Sequence, residues 1–211
     1  VEMKRGGGII SAKDLLAYRT VERKPIRFSV GKGNAISMPP PSSGGICLAQ
    51  MYRMLSHFPL DKADAQTPKL YHLLAEVMRR SFADRNQYLG DPDFVDCQME
   101  MLEKLARLDE RASSIKQEKA SASADFLEDI ATPKEGEQTT HYSVMDKQGN
   151  GVAVTTTLNG SFGSKVLVPG AGFLLNNEMD DFTTHPGKPN LFGLIQGSAN
   201  SVAPGKRPLS S

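Results

Sequence analysis

A threonine at the amino terminus of a chain carries its own base. An α-amine titrates at about 7.7–8.0, so much of it is neutral at working pH and can take the hydroxyl proton. Gln138-Thr139-Thr140-His141-Tyr142-Ser143 puts such a threonine where a charged, apolar-poor stretch meets a strand. In an uncut chain Thr139 is a poor nucleophile; a cut after Gln138 would make it an activated one. The strand pattern brings partners to it. Thr140, Tyr142 and Val144 alternate with Thr139, His141 and Ser143, and Asp146–Asn150 reads as a turn. Beyond the turn, Val152, Val154, Thr156 and Leu158 alternate with Ala153, Thr155, Thr157 and Asn159. A turn centred on Gln148 sets Val144 opposite Val152, Tyr142 opposite Val154 and Thr139 opposite Thr157, with the apolar faces matched. Cross-strand Cβ atoms lie about 4.5–5.5 Å apart. The hairpin therefore gathers Thr139, Thr157 and, two residues on, Asn159. Threonines are also common in any strand, and pattern alone favours that plainer reading.

A second cluster is Glu178-Met179-Asp180-Asp181. Its carboxylates suit an ammonium group, which needs charge-assisted acceptors. A solvated acidic turn or a weak Ca²⁺ loop fits the same residues. The rest of the composition mostly excludes. With 25 basic and 24 acidic residues among 211, the net charge of +1 gives no case for nucleic acid or an anionic membrane. The apolar runs are too short to span a bilayer. Cys47 and Cys97 stand in unrelated contexts, as buried or unpaired thiols or, in an oxidising compartment, a disulfide. The four His are scattered, so no zinc site is expected.

The elements that must position these residues are legible in outline. Ser11 is a good N-cap for a short helix from Ala12 to Tyr18. Ile26–Val30 and Ala35–Met38 read as strands around a Gly31–Asn34 turn. Pro39-Pro40-Pro41 forces extension, and Ser42-Ser43-Gly44-Gly45 opens a helix spaced through Ile46, Met51, Met54 and Leu55. A longer helix from about Lys69 to Asn86 carries Leu70, Leu73, Leu74, Val77, Met78 and Phe82 on one face. Its Arg79-Arg80 and Asp84-Arg85 read as a solvated face. Asp91-Pro92-Asp93 is a turn, and helical patterning runs from Cys97 to about Leu108. Lys116–Glu137 has the composition of a mobile, cleavable linker.

The Gln138–Ser143 run, followed by Asp146-x-x-Gly149-Asn150, resembles the processing site of γ-glutamyltranspeptidases. So do Met38-Pro-Pro-Pro-Ser-Ser-Gly-Gly45, Arg79-Arg-Ser-Phe-Ala-Asp-Arg85 with Gly90-Asp91-Pro92, Leu174–Phe182 and Lys206–Ser211, all in the family's order. The resemblance implies the N-terminal-nucleophile hydrolase fold, an α+β four-layer αββα sandwich, incomplete over this stretch. It implies one structural domain in two parts: residues 1–138 from the end of a large subunit, with 116–138 a processing linker, and 139–211 from the start of a small one. Both ends are accordingly expected to be cuts through a larger protein.

Carried over residue by residue, the resemblance implies cleavage between Gln138 and Thr139, Thr139 as nucleophile and Thr157 as its orienting neighbour. Asn159, Glu178 and Asp181 would hold the donor's α-ammonium, and Ser210 and Ser211 its α-carboxylate. The implied reaction transfers a γ-glutamyl group from glutathione or a related donor to water or an amino-acid or dipeptide amine, with no metal or cofactor. The remainder of the two subunits would be its protein partner, and the location periplasmic or secreted. A cephalosporin or glutaryl acylase, a poly-γ-glutamate processing enzyme and a non-catalytic homologue are the alternatives. Two departures stand out. The family's carboxylate-binding Arg and its oxyanion-hole glycines fall outside these 211 residues, so the stretch alone is expected to be inactive. Pro186–Gly193 resembles the family's lid loop, but the usual Tyr is Phe192.

Overall fold

The computed structural model describes residues 2–122, 139–190, 193 and 195–210. In chain order the elements are α1 (Glu2–Arg5), α2 (Ala12–Ala17), β1 (Ile26–Val30), β2 (Gly33–Ser37), α3 (Gly44–Leu55), α4 (Pro68–Tyr88), α5 (Met99–Glu103), α6 (Leu105–Ser113), β3 (Thr139–Met145), β4 (Gly151–Thr157), β5 (Leu167–Val168) and β6 (Phe173–Leu174). Strands pair β1–β2, β3–β4 and β5–β6, each antiparallel. The mixture is the expected α+β class. The chain divides into two compact units, residues 1–23 with 136–179 and residues 24–135 with 180–211.

In the first unit, α2 begins where its cap requires. Ser11 Oγ accepts from Asp14 N (3.3 Å) while Asp14 Oδ2 accepts from Ser11 N (2.7 Å), a reciprocal capping box. Tyr18, expected as the last helical residue, is instead the extended C-cap. The β3–β4 hairpin has the register read from the sequence: Val144 pairs with Val152, Tyr142 with Val154 and Thr139 with Thr157. Asp146 pins it, accepting from Gln148 N (2.9 Å), Asn150 N (2.8 Å) and Asn150 Nδ2 (2.8 Å). Gly149 supplies the turn's positive φ of 85°.

In the second unit, β1 and β2 join through Gly31-Lys32 alone, because Val30 pairs with Gly33; the turn is two residues tighter than expected. Gly45 lets α3 pass the chain before it, since a Cβ there would lie 2.0 Å from the Met38 carbonyl oxygen. Helix α4 starts on Thr67, whose hydroxyl accepts from Leu70 N, with Pro68 in the first turn. Ile26, Ile46, Cys47, Leu89, Cys97, Leu102 and Leu209 form one apolar cluster, and Met54, Leu73, Val77, Leu108, Ala112 and Ile115 form another. Both cysteines are buried free thiols in the first cluster, and burial pushes Cys47 up to about 11 despite the opposing field of Arg85. The helical stretch after Cys97 is two helices broken at Lys104, whose extended backbone ends α5 and caps α6, and it runs on to Ser113.

The expected solvated face of α4 is largely interior. Arg80, Asp84 and Arg85 are buried, and Arg79 is half-buried against Glu76. Glu76 pairs with Arg80 one turn on, and Asp84 accepts from Arg107 (2.7 and 2.8 Å), Arg111 (3.1 Å) and Gln50 (2.9 Å). Long-range partners make burial of these charges tolerable by matching most of their lone pairs and protons, although Arg85 Nη2 and Arg111 Nε are buried without a hydrogen-bond partner. The start of the expected linker is also held. Ser121 donates to Glu76 Oε2 (2.6 Å), and Lys116 O bonds the His72 ring (2.8 Å). The remainder of the linker lies outside the described residues. Burial would raise the Glu76 carboxyl, but bonds from Ser121 and Arg80 outweigh it and bring it down to about 2.

Candidate active site

Thr139 opens β3, exposed, with its Cα paired to that of Thr157 at the end of β4. Beyond Thr157 the chain leaves the strand through Asn159, a buried residue in the left-handed region (φ 70°). Asparagine is one of the few side chains that adopts this conformation readily. The Thr157 hydroxyl stabilises it by accepting from Asn159 N at 2.9 Å. A hydroxyl that accepts still has its own proton to donate, so Thr157 can serve both Asn159 and the neighbouring strand.

Asn159 is tied in turn to the segment that carries Glu178. Its Nδ2 donates to Asn177 O (3.1 Å), Gly160 N donates to Asn177 Oδ1 (2.8 Å), and Asn177 N donates to Leu158 O (3.1 Å). Three bonds thus staple residues 158–160 to Asn177. Glu178 follows directly, its N–H donating to Asn176 Oδ1 (3.0 Å). A Cβ at Gly163 would sit 2.1 Å from Leu175 O, so glycine permits this close return of the chain. Thr139, Thr157, Asn159 and Glu178 all belong to the first unit.

Asp181 and Ser210 belong to the second unit. Asp181 is buried at the end of the single helical turn Glu178–Asp181. Ser210 is half-buried in a parallel bridge to Ser42. Ser210 N donates to Pro41 O (2.9 Å), while Ser43 N (3.3 Å) and Ser43 Oγ (3.0 Å) donate to Ser210 O. Ser43 Oγ also accepts from Arg85 Nε (3.0 Å), although it stands where a helix cap would. Burial lowers the Arg85 pKa, with Asp181 among the negative neighbours that oppose this. Gln138, Phe192 and Ser211 lie outside the described residues.

The sequence reading missed several residues at the site. His141, on the Thr139 face of β3, bonds Thr155 Oγ1 through Nδ1 (2.7 Å) and lies 3.4 Å from Ser143 Oγ through Nε2. Asn177, Ser43 and Arg85 all position site segments. The asparagine pair Asn176-Asn177 was a signal, because Asn is the residue that bonds a nearby loop backbone. Among the described residues no group of three His, Cys, Asp or Glu could hold a metal ion, and no helix is long and apolar enough to cross a membrane. Chemically, the first unit offers a strand-end hydroxyl beside a second hydroxyl, an ordered amide and the Glu178 carboxylate.

Residues 1–211 match the sequence family described as Gamma-glutamyltranspeptidase. The chain is 46% identical over 210 residues to the glutathione hydrolase proenzyme of Escherichia coli (strain K12), covering 100% of itself and 36% of that protein. It is thus about a third as long as this relative. Among solved structures it resembles the γ-glutamyltranspeptidase of Pseudomonas nitroreducens complexed with L-DON, with a TM-score of 0.56 and 33% identity over 59% of this chain and 38% of that one. Its fold also resembles that of a cephalosporin acylase from Bacillus halodurans, with a TM-score of 0.75 and 24% identity over 99% of this chain and 34% of that one. A family match from end to end and a relative of this identity lead to one conclusion: the chain belongs to the γ-glutamyltranspeptidase family.

Proposed function

We propose that this chain is the central part of an autoprocessing enzyme that moves γ-glutamyl groups, with Thr139 as its nucleophile. One observation carries the reading. The Thr139–Thr157 pair is linked through Asn159 and Asn177 to Glu178 by bonds of 2.8–3.1 Å, so the nucleophile and two of the ammonium acceptors, Asn159 and Glu178, share one scaffold. In the uncut protein the Thr139 hydroxyl attacks the Gln138 carbonyl, the C–N bond breaks to free the Thr139 amine and leave an ester, and water hydrolyses that ester, leaving residues up to 138 in a large subunit and 139 onward in a small one. The freed α-amine then takes the hydroxyl proton as Oγ1 attacks the γ-carbonyl of the donor. The leaving amine departs with a proton, and a γ-glutamyl ester remains on Thr139. Water or the amine of an amino acid or dipeptide resolves it.

Asn159, Glu178 and Asp181 receive the donor's ammonium, and Ser210 and Ser211 its carboxylate; charge-assisted bonds make this pairing strong. Phe192 stands where the family resemblance puts the lid aromatic. Glutathione is the donor the family resemblance favours, and a periplasmic or secreted location accompanies it. The test is a full-length protein with Thr139→Ala. Wild type splits into two subunits on a gel and releases the chromophore of a γ-glutamyl anilide; the variant does neither. Normal splitting of the variant would refute Thr139 as the processing nucleophile. The acylase alternative predicts instead that wild type prefers a glutaryl anilide, which lacks the α-amine, over the γ-glutamyl one.

A further inference from the structure

A γ-glutamyl donor presents its ammonium and carboxylate on the same carbon. Residues that receive the two charges must therefore be held at a fixed separation. Asp181 and Ser210 are 29 positions apart in the sequence, but both are anchored in the second unit, and one buried side chain bonds the backbone of Asp181 and that of Leu209, the residue before Ser210. Asn200 is 1% exposed, at the end of the short turn Ser198–Asn200. Its Nδ2 donates to Asp181 O (2.6 Å) and to Gln196 Oε1, and its Oδ1 accepts from Leu209 N (2.9 Å). Its carbonyl accepts from Thr183 N (3.0 Å), beside the parallel bridge from Thr183 to Ser201.

We infer that Asn200 is a positioning residue that couples the ammonium and carboxylate subsites, setting their spacing and hence selectivity for an α-amino acid donor. The inference rests on the donor-site reading given above. Asparagine suits the role because the link needs donors toward Asp181 and Gln196 and an acceptor toward Leu209 on one short planar group. Asp lacks the donors, Leu lacks both, and Gln displaces the amide by one methylene. The far side of Ser210 is already clamped by Pro41 and by Ser43, which Arg85 holds in turn. With that side fixed, Asn200 ties Asp181 to a stationary partner.

The test uses full-length enzyme and three anilides: γ-glutamyl, glutaryl (no amine) and 4-aminobutyryl (no carboxylate). Asn200→Asp keeps the acceptor for Leu209 and loses both donors. It should raise KM for the γ-glutamyl anilide by about tenfold or more, leave kcat within about threefold, and shrink the preference over both one-charge anilides to a similar degree. A lower melting temperature with KM and preference unchanged would overturn the inference, since that is what packing alone predicts. If Asn200→Asp does not mature, Gln196→Met carries the test by removing only the acceptor that orients the Asn200 amide. A smaller loss of preference supports the coupling, and an unchanged preference overturns it. Wild-type enzyme indifferent to the α-amine would overturn the donor-site reading itself, whatever the variants do.

Discussion

Thr157→Val tests whether one hydroxyl organises the end of the hairpin. Valine keeps the β-branched shape of threonine and its place opposite Thr139, so strand and register should survive. The Asn159 N–H loses its acceptor, now 2.9 Å away. A donor left unsatisfied in a largely buried site costs about 1–3 kcal/mol. Asn159 also sits at φ 70°, a region that asparagine tolerates better than most side chains but that still leans on local bonds. Three other bonds, between residues 158–160 and Asn177, still hold the loop. Loosening of Asn159 rather than unfolding is therefore expected. If donor binding must first re-order Asn159, the same 1–3 kcal/mol appears as a rise of about 5- to 150-fold in the donor KM. The assay is steady-state turnover of a γ-glutamyl anilide by full-length enzyme, normalised to the split fraction on a gel. Thr157→Ser retains the acceptor and should stay within about threefold of wild type. A Val variant with wild-type KM would refute the reasoning, as would a Ser variant as impaired as Val.

Two further perturbations concern the buried charges of α4. Asp84→Asn keeps the shape but leaves Arg107 and Arg111 facing a neutral amide, and should cost about 3–5 kcal/mol of unfolding free energy by chemical denaturation; a change below about 0.5 kcal/mol would return the residue to a solvated face. Glu76 titrates at about 2, below its ordinary 4.5, so its network stabilises the fold above pH 4.5 and is lost as pH falls toward 2. The difference corresponds to on the order of 3 kcal/mol; the gap in stability between wild type and Glu76→Gln should narrow from about pH 5 to pH 2, and a gap independent of pH would contradict it.

Local rules made part of this molecule readable. The β3–β4 register followed from period-two alternation and the Asp146–Asn150 turn, because slipping one residue would invert each face. The Ser11–Asp14 cap was similarly local. What escaped the sequence depends on distant partners. Arg80, Asp84 and Arg85 look like solvent-facing charges until Ser121, Arg107, Arg111 and Ser43 arrive from elsewhere. Ser43 occupies a cap position yet spends its hydroxyl on Ser210, 167 positions away. Asn200 lies in Gly197-Ser-Ala-Asn200, which reads as a plain loop, and only its burial between Asp181 and Leu209 gives it a task.

The second unit is made from residues on both sides of the Gln138–Thr139 bond. Leu209 is fully buried among Ile26, Ile46, Cys47, Leu89, Cys97 and Leu102, and Arg207 N donates to Asp91 Oδ2 at 2.9 Å. Cutting that bond would release neither piece, because the two polypeptides are already interlocked through a common interior. If the proposed cut is made, assembling this interior first, while the chain is continuous, avoids a concentration-dependent step. The cut changes the thermodynamics. Before the cut, rejoining the two sides is a unimolecular step; after it, their association depends on concentration, and separated halves would have to find each other before either could complete its core.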